Sequence, residues 1–178
     1  MVAAGLKRGL SRGLGLDARM LRQRHSLHDA AAGETHLVCL VDNRSPRWQP
    51  AAGMRWVDEG ALGALLLARP EHGPTLRAWF DKARTGRPPA TRAPWAQPTW
   101  HAVADAWILA RLADVGVEAT GPIEQIKCGS MSCVLRAPTT DGMVYFKASP
   151  EVFAHEAPLT AALGRLCPDT TPRDRDRS

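Results

Sequence analysis

Residues Gly121–Leu166, GPIEQIKCGSMSCVLRAPTTDGMVYFKASPEVFAHEAPLTAALGRL, decide the fold. They read as strand, small-residue turn, strand, tight turn, strand, helix. The first turn follows Ile126 and carries Gly129 and Ser130. The second, Pro138-Thr139-Thr140-Asp141-Gly142, ends in Asp-Gly, a strong hairpin signal. The strand Met143–Ala148 then alternates, with Val144, Phe146 and Ala148 on one face and Met143, Tyr145 and Lys147 on the other. A lysine this deep in an apolar strand must find solvent or an anionic partner for its ammonium.

The order of these elements, with a lysine strand followed by a helix bearing Glu156, is that of the small lobe of kinase-like phosphotransferases. The local wording, EQI, SCVLR, DG, VYFKA, HE and LT, resembles the aminoglycoside phosphotransferase family over about residues 100–172. The resemblance implies that Lys147 contacts the phosphates of ATP and that Glu156 is its helix partner. It also implies a nucleotide loop at Gly129 and Ser130. The loop Cys128–Ser132 has a single glycine and two hydroxyls, and lacks the G-x-G-x-x-G of protein kinases, so an ordinary hairpin turn remains the alternative. Pro158 places the start of the main helix near itself, which sets Glu156 at the helix entrance, and Glu151 is a second candidate partner.

Phosphoryl transfer in this family further requires a catalytic aspartate in a His-Gly-Asp-like loop, and an asparagine and aspartate for Mg. All belong to a large C-terminal lobe. The histidines here, His25, His28, His36, His72, His101 and His155, stand in no such context. After Pro172 the chain gives Arg-Asp-Arg-Asp-Arg-Ser where the family has an apolar strand. Residues 171–178 are therefore expected to be an out-of-frame tail. The expectation is a small lobe that is inactive alone, binds ATP weakly or not at all, and takes Mg only with its missing lobe. Its complete form would phosphorylate a small hydroxyl-bearing acceptor.

Working outward, residues 99–170 form the kinase-like part. Thr99 is expected to cap a helix whose stripe, Trp100, Val103, Ala104, Trp107, Ile108, Arg111, Leu112 and Val115, faces the core, with Gly116 as its stop. Residues 86–98, GRPPATRAPWAQP, hold four prolines in thirteen residues and read as a linker, docked through Trp95. Residues 1–85 read as a small mixed α/β region. Leu6, Leu10 and Leu14 are spaced for a helix, His36–Asp42 for a strand, Ala61–Leu67 for a short helix capped by Asp58, and Thr75–Thr85 for a helix led by Pro74 and stopped by Gly86. Arg8–Leu16 is similar to the tail of a Nudix box, but Gly9, Arg12 and Gly13 stand where the metal-binding glutamates belong. The region is therefore read as a degenerate Nudix-like segment without hydrolase activity. His72 has no visible partner and is assigned a surface or capping role.

Composition sets the limits. With 178 residues and 44% hydrophobic residues, one or two small packed domains are expected, and the fold class is α+β. No apolar run reaches the length of a membrane span, and residues 1–30 lack the continuous apolar core of a secretory leader. Cys39, Cys128, Cys133 and Cys167 show no zinc-like spacing and read as reduced, mostly buried thiols of a cytoplasmic protein. The net charge of +5 is spread along the chain, which fits a solvated surface, or a site for anionic nucleotides, better than a nucleic-acid footprint. The alternative to the phosphotransferase-like reading is a non-enzymatic regulatory or interaction module. In either case the apolar face left open by the missing lobe is expected to promote self-association.

Overall fold

The computed structural model describes residues 2–86 and 92–167. The charged tail and Pro172 lie outside the described residues, as do residues 87–91 of the proline-rich stretch. The protein is α+β, with a two-stranded and a three-stranded antiparallel sheet. Its elements are α1 (Val2–Leu14), β1 (Ala18–Asp29), β2 (Glu34–Asn43), α2 (Glu59–Leu62), α3 (Gly73–Thr85), α4 (Trp100–Asp114), β3 (Glu124–Cys128), β4 (Cys133–Thr139), β5 (Gly142–Ala148) and α5 (Glu156–Leu166).

The C-terminal sheet runs β3-β4-β5 in sequence order. Pairing of Cys133 with Ala148, Leu135 with Phe146 and Ala137 with Val144 sets one face of β4 and β5. That face packs on α4 through Ala104, Ile108 and Leu112, and Trp95, Val117 and Ile123 complete the core. The opposite face carries Val134, Arg136, Tyr145 and Lys147, as the alternation of β5 predicts. Gly142 adopts φ 103° at the Asp-Gly turn, a conformation that few residues other than glycine adopt. A bulge at Ile126 interrupts the β3–β4 register.

Trp95 docks as expected. It is buried in a 3-10 turn, Pro94–Ala96, and its Nε1 donates to the Gly129 carbonyl at 2.8 Å. Helix α4 differs from expectation in two respects. Thr99 makes no side-chain cap, because it takes a left-handed φ of 69° in place of the extended backbone that aims a cap hydroxyl at the first turn. The buried face is His101, Ala104, Ile108 and Leu112, while Val103 and Val115 are exposed. Trp107 is half exposed and its ring lies tilted against Phe146, with centroids 5.3 Å apart, so it covers the core rather than anchoring it.

In the N-terminal half, helix α1 forms despite its three glycines, and β2 extends the expected strand. Its partner β1 is not anticipated by the sequence reading. The sheet is thus an antiparallel hairpin, turned at Gly33 (φ 65°) and steadied where the Ala31 and Ala32 amides donate to Asp29 Oδ1. Asp58 caps α2 as expected, accepting from the Ala61 amide at 2.8 Å. That helix, however, ends at Leu62, and Leu66 is fully exposed. Helix α3 starts at Gly73 and ends at Gly86 in the left-handed conformation (φ 64°).

The two halves are joined by buried polar contacts. Gln125 on β3 brackets the Met20 backbone of β1, accepting from its amide and donating to its carbonyl, both at 2.8 Å. Arg19 is buried and reaches the Ile123 carbonyl at 2.5 Å.

Candidate functional site

Strand β5 places Lys147 one residue before its end, opposite Val134, and the chain then turns through Ser149, Pro150 and a 3-10 turn, Glu151–Phe153. Helix α5 opens at Glu156, with His155 at its N-cap position making no side-chain cap bond. Pro158 sits in the first turn, where a missing amide hydrogen costs nothing. Glu156 is thus at the helix entrance, and its carboxylate benefits from the unpaired amides there.

The lysine and the glutamate meet. Lys147 Nζ donates to Glu156 Oε2 at 2.7 Å, and Ser149 Oγ donates to the same oxygen at 3.1 Å. The Lys147 hydrogen bond holds the Glu156 carboxyl below its ordinary value of 4.5, with Ser149 and the lysine charge adding to this. The side chains are 49% and 39% exposed, so the pair is open to an incoming ligand. Glu151, the other candidate partner, is exposed on the preceding turn.

Gly129 and Ser130 lie in the β3–β4 turn. Since Cys128 pairs with Cys133 and Cys133 with Ala148, that turn stands at the Lys147 end of the sheet. The Gly129 amide closes the turn by donating to the Ser132 carbonyl at 3.0 Å, and its own carbonyl holds Trp95. An added Cβ at Gly129 would meet the Ser132 carbonyl oxygen at 3.9 Å, an ordinary contact, so this turn does not demand glycine. Ser130 is exposed.

A buried polar node, unforeseen in sequence, lies beneath the sheet. Asp105 on α4 pairs with Arg19 and Arg44, each at 3.3 Å. Burial pushes the Asp105 carboxyl up, and the two guanidiniums pull it back. His101, fully buried one turn earlier, lies 3.3 Å from Gln125 Nε2. Burial, reinforced by Arg19 and Arg44, lowers its pKa to about 4, so it is neutral at pH 7. Leu21, buried in β1, presents its carbonyl to the Cys128 thiol at 3.3 Å. A hydrogen bond with Cys133, together with burial, keeps that thiol protonated. Of the cysteines expected to be mostly buried, only Cys133 is fully buried, Cys39 and Cys128 are partly so, and Cys167 is exposed.

His72 has ring neighbours, while its buried Nδ1 has no hydrogen-bond partner among the described residues. Its ring lies 5.6 Å from His25 and 6.5 Å from His36, and as N-cap residue of α3 it makes no side-chain cap bond. Among the described residues, no three His, Cys, Asp or Glu side chains are placed to hold a metal ion. Nor is any helix among them long and apolar enough to cross a membrane. No protein-family model, curated protein or solved structure matches this chain.

Proposed function

We propose that the β3-β4-β5 sheet and α5 form a nucleotide-binding unit of the aminoglycoside-phosphotransferase-like, kinase-like type. In this reading Lys147 contacts ATP phosphates and Glu156 orients it. The observation that carries the reading is the 2.7 Å contact between Lys147 and Glu156, made by a strand lysine and the first residue of the following helix. The carboxylate fixes the ammonium at the sheet's end without burying it, which leaves its remaining donors free for anionic oxygens. The Ser130 hydroxyl, at the same end, is a further donor. Residues 1–85 are proposed as a degenerate Nudix-like region without hydrolase activity, which serves as a scaffold in the alternative interaction-module reading. The family's catalytic aspartate and Mg ligands belong to a large C-terminal lobe, so ATP binding is assigned here and no transfer step. The acceptor expected of the family is a small hydroxyl-bearing molecule.

Calorimetric titration with ATP, with and without Mg, tests this. A saturable ATP site that Lys147→Ala removes and Glu156→Gln weakens supports it. A folded chain that binds no ATP would instead favour an interaction module. The observation behind that second reading is the row of exposed leucines, Leu159, Leu163 and Leu166, along α5.

A further inference from the structure

A concave site that does not include Lys147 lies between α1 and the β3–β4 ladder. The cavity has a volume of about 290 Å³ and is lined by Lys7, Arg8, Ser11, Arg12, Gln125 and Arg136, among others. Lys7, Arg8, Ser11 and Arg12 fall at the spacing that puts them on one side of a helix. Arg136 comes up from β4, where it faces away from the core. The bulge at Ile126 brings that side chain into the lining as an apolar wall.

The charge balance of this cavity is lopsided. Four cationic side chains line it with one carboxylate, Glu124. That carboxylate is already engaged by Arg136, whose guanidinium holds it below its ordinary range. Lys7 leans toward Asp17 at 3.8 Å. Arg8 and Arg12 have no ion-pair partner among the described residues, and both are exposed. Gln125 has both ends of its amide committed to Met20, so it offers the cavity no competing polar group. Like charges held together repel unless an anion joins them, and arginine forks match the geometry of phosphate oxygens. The Ser11 hydroxyl adds a neutral donor, and the volume lies at the small end of ligand pockets.

We propose that this pocket binds a small phosphorylated molecule, a mono- or diphosphate of sugar or nucleoside size. Arg8, Arg12 and Arg136 would hold its phosphate oxygens, and Ile126 its apolar part. The site is independent of the nucleotide reading at Lys147.

The test is a calorimetric titration with inorganic pyrophosphate at physiological ionic strength, on the full chain and on two variants. Arg8→Ala combined with Arg12→Ala touches only exposed side chains and exchanges them for the best helix former, so α1 is kept. Circular dichroism and thermal unfolding verify this. The proposal expects saturable binding in the wild type, at least tenfold weaker binding in the double variant, and retention of a pyrophosphate site in Lys147→Ala. Absence of saturable binding overturns it, as does binding that Lys147→Ala removes and the double arginine variant leaves intact. A short single-stranded RNA is titrated in parallel. If the RNA binds through Arg8 and Arg12 while pyrophosphate does not, the pocket is part of a nucleic-acid surface and the small-ligand proposal fails.

Discussion

Two of the carboxylate–cation contacts in this protein sit in opposite environments. Lys147 and Glu156 meet at 2.7 Å in the open, nine residues apart in sequence. Arg19 and Asp105 meet at 3.3 Å in the interior, eighty-six residues apart, with Arg44 on the same oxygen. The exposed pair competes with water and adds little to stability, so its charges remain available to a ligand. The buried pair is surrounded by protein and ties β1 to α4. Removal of one member leaves the other desolvated. The same chemistry therefore serves binding in one place and assembly in the other.

The largest effects should come from breaking the buried side. Arg19→Ala is expected to cost about 3 kcal/mol in urea unfolding, since Asp105 keeps only Arg44. Trp95→Ala should cost a similar 3–5 kcal/mol, roughly, by opening a cavity and releasing the Gly129 carbonyl. A loss under about 1 kcal/mol in both would show that the two halves are not held as described.

Acid sharpens the contrast next. Unfolded His101 takes a proton near 6.5 and folded His101 only near 4. Between those values the unfolded chain carries more protons, so stability falls as pH falls, by up to about 3 kcal/mol. Asp105, pushed up by burial, offsets part of this from the other direction. Unfolding curves from pH 7 to pH 4 should show the decline, and His101→Gln should flatten it.

Smaller effects belong to the exposed side. Leu159→Lys with Leu163→Lys should leave the melting temperature nearly unchanged while reducing any self-association seen by sedimentation. Lys147→Ala should likewise leave unfolding unaffected. A clear loss of stability in Lys147→Ala would mean that the pair is structural after all.

How much of this could be read from the chain follows the same division. Lys147, Glu156 and the three strands obey local rules of alternation, Asp-Gly turn chemistry and helix entry past a proline. The sequence therefore places them, and the structure brings the lysine and the glutamate together. Strand β1 is hidden because bulges at Leu21 and Arg24 break its period-two pattern. The stripe of α4 points to Val103 and Trp107, yet the helix turns His101 inward, where Gln125 receives it. A polar residue on a buried face gives no periodic signal. The leucine spacing marks α1 as a helix, but Arg136, which completes the pocket beside Arg8 and Arg12, is distant in sequence.

The most direct measurement is labelling with an acyl-phosphate derivative of ATP, which transfers its acyl group to a lysine beside the bound phosphates, followed by peptide mass spectrometry. The account predicts dominant labelling at Lys147, suppressed by excess ATP. Labelling spread evenly over Lys7, Lys82, Lys127 and Lys147, with no protection by ATP, would contradict it.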